Sequence, residues 1–213
     1  MPEPLTGIVL AGGGSRRLGQ DKAALTFGGR TLLEMTIEKL AANCDEILLS
    51  GRNASQALEP HSVRYVADAF PGQGPLAGIE AGLSACEHDF ALAVACDMPF
   101  LNAELLAYMA SQARDYEALV PLYEERPHPL HAIYSRSCLP NIRSLLKAGR
   151  NAMMELLSEI AVTSVPEDVI QELDPEGLSL FNLNQPEDLV RARELWQEQE
   201  AGSLARKGGD HEP

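Results

Sequence analysis

The sequence predicts a mainly parallel α/β domain, and three observations carry that reading. Short apolar runs of strand length recur with almost no polar interruption, segments with helical apolar spacing lie between them, and glycine, aspartate or asparagine stands where the runs end. Uninterrupted apolar runs belong to strands covered on both faces, and strands alternating with helices build a parallel sheet whose ligands gather outside the strands' carboxyl ends. The chain has 213 residues, 45% of them hydrophobic, enough to bury one substantial core. A single domain over residues 1–200 and a disordered tail over 201–213 are expected.

Leu5 to Ala11 is an apolar run stopped by three glycines, as a buried strand entering a tight loop would be. From Thr31 to Asn43 the apolar residues recur at helical spacing, and Thr31 with Glu34 forms a capping box. Glu46 to Gly51 and Val63 to Asp68 read as strands, Leu76 to Cys86 as a helix, and Phe90 to Ala95 as a central strand that closes at Cys96 and Asp97. Asn102 caps a helix through about Arg114, and Ala118 to Leu122 and Leu130 to Tyr134 pair across a proline-rich turn. Leu139 to Ala148 and Ala152 to Ile160 are helical, and Ser179 to Leu183 reads as a late strand. A last helix opens at Pro186 and runs to about Glu200. The acidic stretch between Val165 and Glu176 matches no pattern.

A net charge of −14 gives a field that repels polyanions, so nucleic acid is not an expected partner, and a polyphosphate would need a local positive pocket with a divalent cation. Cys44, Cys86, Cys96 and Cys138 are scattered without C-x-x-C spacing, which argues for reduced thiols and against a zinc site. No apolar run approaches the roughly 18 residues of a membrane span, and no basic segment leads into an apolar one near Met1. A cytoplasmic protein with no membrane partner is expected.

Leu10 to Lys22, LAGGGSRRLGQDK, carries the strongest chemical signal. Glycines let backbone N–H groups face phosphate oxygens, and Arg17 and Lys22 supply charge for a leaving pyrophosphate. A plain glycine turn with solvated basic residues is the alternative. The segment is neither a Walker loop, since Gln20 follows Gly19, nor a dinucleotide fingerprint, since Arg17 holds the third glycine position. Asp97, in ACDMPF at a strand end, is placed to hold Mg²⁺, which takes one or two carboxylates together with phosphate oxygens. Its alternative role, and that of Asp68, is to cap a following turn or helix.

Gly72 to Leu83, which contains Gly78, offers small residues to a base or ribose, or simply a closely packed helix. Asn182 and Asn184 would orient phosphate or metal-bound water, or else end a strand before Pro186. His128 and His131 lie in the turn PHPLHA and read as structural or exposed. There is no G-x-S-x-G elbow and no cysteine in a basic setting, so covalent catalysis has no candidate. Direct phosphoryl transfer fits that absence, because a phosphate monoester nucleophile is already ionised at neutral pH.

LAGGGSRRLGQDKA, GPLAGIEAGL, ACDMPFL and FNLNQPEDL, in this order, resemble the molybdenum cofactor guanylyltransferases across about residues 5 to 196. The resemblance implies a Rossmann-like three-layer α/β/α sandwich of the nucleotide-diphospho-sugar transferase type. It also implies transfer of GMP from GTP to a molybdopterin-bound molybdenum centre with release of pyrophosphate, using Mg²⁺ or, in its place, Mn²⁺. By position, Leu10, Ala11, Gly12, Gly13, Lys22, Asp68, Gly78 and Asp97 would contact GTP, with Arg17 over the triphosphate and Asp97 on the metal. Asn182, Asn184 and the turn at Pro127 to Pro129 would border the acceptor. Cofactor-delivering and molybdoenzyme-maturation proteins would be the protein partners. Two positions depart from the pattern: Ser50 stands where some relatives place a nucleotide-contacting asparagine, and Leu18 where methionine is frequent. Transfer from CTP to molybdopterin, transfer to a sugar phosphate, or nucleotide binding without catalysis are the other readings.

Overall fold

Apolar runs become strands and helically spaced segments become helices, in the alternating order the sequence predicts. The computed structural model describes residues 3–12, 22–51 and 62–208. The chain forms β1 (Thr6–Leu10), a 3-10 turn (Lys22–Ala24), the hairpin β2 (Thr26–Phe27) and β3 (Arg30–Thr31), α1 (Leu32–Ala41), β4 (Glu46–Ser50) and β5 (Val63–Val66). There follow α2 (Gly74–Ala85), β6 (Phe90–Ala95), α3 (Ala103–Ser111), β7 (Ala118–Tyr123), β8 (Arg126–Pro127), β9 (His131–Ser135), α4 (Leu139–Lys147) and α5 (Met153–Glu159). β10 (Val162–Val165), α6 (Glu167–Leu173), a 3-10 turn (Leu178–Leu180) and α7 (Pro186–Gly208) complete the described chain.

Among the described residues the strands of the main sheet lie in the order β10-β7-β9-β6-β1-β4-β5, with β8 paired to β7. β1 is parallel to β4 and β6, β4 to β5, and β7 to β10, while β9 runs against both β6 and β7. The interior is split by this sheet. Val9, Leu49, Leu92 and Val94 face α1, α3 and α6, whereas Ile8, Leu48, Ala91 and Ala93 face α2, α4 and α5. Burial on both faces is why these strands read as unbroken apolar runs. A third cluster holds α7 against the β2–β3 hairpin through Phe27, Leu32, Phe100, Leu183 and Leu195, with Trp196 and Phe181 at its margin.

Local chemistry sets the boundaries. Thr31 accepts from the Glu34 N–H at 3.2 Å and Glu34 accepts from the Thr31 N–H at 2.7 Å, which closes the predicted capping box on α1. Asn102 caps α3 as expected, but the helix ends at Ser111, where Gln112 turns extended (φ −69°, ψ 149°) and the Arg114 guanidinium donates to the Ala110 carbonyl at 2.9 Å. The unassigned acidic stretch forms α6, whose first turn carries Glu167 and Asp168, where negative charge suits the exposed N–H groups.

The predicted strand over Ser179 to Leu183 is a correction. That segment is a 3-10 turn followed by extended chain, because its N–H groups are taken by a side chain, by carbonyls three residues back and by one distant carbonyl instead of a ladder. Ser179 N–H donates to Asp174 Oδ2 at 2.7 Å, and Leu183 N–H donates to the Asp97 carbonyl at 3.0 Å. α7 also extends beyond Glu200 to Gly208, consistent with the strong helix formers Ala201, Leu204, Ala205, Arg206 and Lys207. The hairpin β2–β3 and strands β8 and β10 are short elements that no periodic pattern marked.

Candidate active site

β1 and β6 lie side by side, Leu10 opposite Ala95, and both release their chains at the same rim. The Cys96 N–H donates to the Leu10 carbonyl at 3.2 Å, and the Ala11 N–H donates to the Ser50 carbonyl at 2.9 Å, so the ladders continue to the point of exit. There Gly12 rests on Gly51, and a Cβ on Gly51, whose φ is +94°, would stand 2.4 Å from the Gly12 Cα. Glycine at the exits of β1 and β4 is therefore a condition of the rim's shape.

Lys22 reaches this rim from the 3-10 turn that leads into the hairpin. Its Nζ lies 2.7 Å from Asp97 Oδ2, across 75 residues of sequence, and the two side chains are 21% and 17% exposed. The same Nζ donates to Asn184 Oδ1 at 3.4 Å. Asp97 Oδ1 is buried with no hydrogen-bond partner. A buried carboxylate oxygen without a donor is costly in an apolar setting and suited to a cation. Among the described residues no group of three or more His, Cys, Asp or Glu side chains gathers to hold a metal, so a cation here would depend on one carboxylate and on ligands brought by a substrate.

The rim opens into a cavity of about 460 Å³. Leu10, Ala11, Gly12, Lys22, Asp97, Pro129, Asn182 and Asn184 all line it. These residues, singled out in the sequence, are brought together by the fold. Asp68 and Gly78 are not among the lining residues: Asp68 Oδ1 accepts from the Phe70 N–H at 2.7 Å, and Gly78 packs under Leu10 and Ser50, where a Cβ would come within 2.9 Å of Leu10 Cδ2. Ser50 is buried with its Oγ unpartnered. Gly13, Arg17 and Leu18 lie outside the described residues.

The PHP turn and the loop bearing Asn182 are held by side chains that sequence reasoning did not link to the cavity. The Tyr134 hydroxyl donates to the Pro129 carbonyl at 2.7 Å and fixes the PHP turn from β9. Burial pushes the Tyr134 phenol far above its ordinary range, so it stays a donor. Asp174, 7% exposed, accepts from the Ser179 N–H, and burial raises its carboxyl pKa against that bond. His131 is fully buried and lines the cavity; burial lowers its pKa to about 4, and its Nδ1 stands 3.3 Å from the Ser179 carbonyl. His128, partly exposed, is also lowered, first by burial and then by Arg126. For His131 the available signal was its place in a strand beside the PHP turn; for Asp174 there was none, because an acid in an acidic stretch reads as solvated.

The MobA-like NTP transferase domain family matches residues 7–165. The molybdenum cofactor guanylyltransferase of Desulfosudis oleivorans is 33% identical over 192 residues, covering 89% of this chain and 95% of that protein. The crystal structure of molybdopterin-guanine dinucleotide biosynthesis protein A from Archaeoglobus fulgidus superposes with a TM-score of 0.78 at 28% identity, covering 91% of this chain and 99% of that one. A more distant crystal structure, Rv0371C of Mycobacterium tuberculosis in complex with manganese, shares the fold with a TM-score of 0.60 at 19% identity, covering 78% of this chain and 89% of that one.

Proposed function

The chain belongs to the MobA-like NTP transferase family, and from that premise we propose that it transfers GMP from GTP to molybdopterin carrying the molybdenum centre, forming the guanine dinucleotide cofactor and releasing pyrophosphate. The observation that carries this reading is Asp97, whose Oδ2 holds Lys22 Nζ at 2.7 Å while its Oδ1 is buried without a partner at the cavity. A triphosphate laid on that rim meets a cation and a carboxylate within one small space. The sequence places Arg17 in the same phosphate loop.

In the transfer, an acceptor phosphate oxygen forms a bond to the α-phosphorus of GTP, and the bond from that phosphorus to the β-bridging oxygen breaks. The leaving pyrophosphate takes the electron pair. No general base is required, since the attacking phosphate is already ionised. Lys22 neutralises charge that builds on the departing group, as preorganised cations do. Leu10, Ala11 and Gly12 present backbone to the nucleotide, and by sequence position Gly13, Asp68 and Gly78 serve the same substrate. Pro129, Asn182 and Asn184 orient the acceptor. The donor set fits a divalent cation: Asp97 would hold Mg²⁺ or Mn²⁺, and the ion would supply charge neutralisation to the phosphate oxygens that complete its coordination.

The test is pyrophosphate release with Mg²⁺ and molybdopterin from GTP, run beside CTP and beside a sugar phosphate acceptor. Release with GTP and molybdopterin is expected. Preference for CTP or for the sugar phosphate would replace the substrate assignment, and nucleotide binding without release under any condition would make the chain a noncatalytic binding protein.

A further inference from the structure

Ser179 is fully buried, and each of its polar groups is engaged by a different part of the fold. Its N–H donates to Asp174 Oδ2 at 2.7 Å, its Oγ accepts from the Asn102 N–H at 3.1 Å, and its carbonyl stands 3.3 Å from His131 Nδ1. A carbonyl only accepts, so Nδ1 carries the imidazole proton and Nε2 presents a bare lone pair. That Nε2 is buried and has no partner. Selection for stability alone would favour leucine or isoleucine at this site, because a buried acceptor without a donor is a cost. Among the described residues the ring's hydrogen-bonding contact is that of Nδ1 with the Ser179 carbonyl.

We infer that His131 is a positioning residue for the acceptor side of the transfer proposed above: its Nδ1–H clamps the Ser179 carbonyl and so sets the path of the loop that carries Asn182 and Asn184. The inference rests on that functional reading. His131 is rigidly placed, since it pairs with Val94 on the strand that delivers Asp97. Past the clamp, the loop returns to the rim at Leu183, whose N–H donates to the Asp97 carbonyl at 3.0 Å, and Asn184 then accepts from Lys22. One anchor at Ser179 and one at Leu183 thus bracket Asn182. Burial keeps the imidazole neutral down to about pH 4, so the clamp retains one tautomer across the working range of a cell.

Three substitutions separate the roles of the two ring nitrogens. His131→Asn places an amide N–H near the Nδ1 position, His131→Gln places one near Nε2, and His131→Leu has neither. For His131→Leu and His131→Gln the KM for molybdopterin is expected to rise about tenfold, the usual effect of losing one positioning bond, while the KM for GTP moves less than about twofold. Backbone amide exchange over residues 179–184 should quicken in the same two variants with β1 and β6 unchanged, and His131→Asn should restore both readouts. A wild-type acceptor KM and wild-type exchange in His131→Leu would overturn the inference, as would rescue by glutamine in place of asparagine or an equal rise in both KM values. Asp174→Ala loosens the same anchor from its other side and should reproduce the split even if position 131 tolerates no change; an unaltered acceptor KM there also overturns it. Failure of the functional reading is distinguishable, since the wild-type enzyme would then release no pyrophosphate while amide exchange would still report the clamp.

Discussion

Two walls of the cavity are built by different means. On the rim of β1 and β6, Gly12 and Asp97 are delivered by strands of five and six residues, held in register by parallel ladders and buried on both faces. Next to that rim, Asn182 and Asn184 ride a loop without a ladder, held at Ser179 by Asp174, Asn102 and His131, and at Leu183 by the Asp97 carbonyl. The first wall is backbone delivered by regular structure. The second is backbone pinned by individual side chains, so single substitutions should shift it without disturbing the sheet.

If that contrast is right, removing a group from the rim should abolish chemistry, whereas removing one from the loop should weaken one substrate's fit. Asp97→Ala is expected to lower turnover by a hundredfold or more, about 3 kcal/mol of transition-state stabilisation, because it takes away the carboxylate assigned to the metal. Lys22→Ala should cost a comparable order in kcat, as loss of one preorganised charge does. Steady-state pyrophosphate release measures both. Near-normal turnover in either variant would remove that residue from the mechanism and blur the distinction between the two walls.

The rim was legible in the sequence because its signals are local. An apolar run stopped by Gly12 or Asp97 announces a strand and its exit within a few residues, and the Thr31–Glu34 box announces α1 in the same way. The loop wall was legible only as residue types: Asn182 and Asn184 stood out, but their supports lie far away in sequence. His131 meets Ser179 across 48 residues, and Asn102 meets it across 77. Leu178, Leu180 and Phe181 give a short apolar run whose period fits strand or turn equally, and only burial against distant elements decides. Gly78 shows the converse, a small residue in a suggestive motif that the fold uses to bring α2 close to Leu10.

The loop wall should also respond to acid. Burial lowers His131 from 6.5 to about 4, so between those values the unfolded chain binds a proton that the folded chain refuses. Stability from keeping His131 neutral is complete above about pH 6.5 and is lost as pH falls toward 4, by up to on the order of 3 kcal/mol. His131→Leu should lack this loss while retaining the contribution of every carboxylate, so the difference between the two denaturation curves isolates it. Parallel curves for the two proteins from pH 7 to about 4 would show that the imidazole is not held neutral. A smaller effect is expected from Tyr134→Phe, which leaves the Pro129 carbonyl without its donor: about 1–2 kcal/mol of stability, read by denaturant unfolding, with the acceptor KM raised more than that for GTP.

The smallest effect compares two hairpins. β2 and β3 are joined by Gly28 and Gly29 at φ +55° and +80°, whereas β7 and β8, which lead into the PHP turn, are joined by Glu124 and Glu125 at φ +49° and +60°. Both two-residue connections place both central residues at positive φ, the turn that matches strand twist and favours Asn-Gly. Glycine meets this at no steric cost, but each glutamate is held in a region that disfavours a Cβ. Glu124→Asn combined with Glu125→Gly should therefore raise stability by about 1 kcal/mol, a rise of roughly 2–4 °C in Tm for a chain of this size. Because both side chains are exposed and neither lines the cavity, turnover should not change. A stabilised variant with a raised acceptor KM would mean that the glutamates shape the PHP turn as well as join its strands, and would extend the side-chain-built wall to the hairpin.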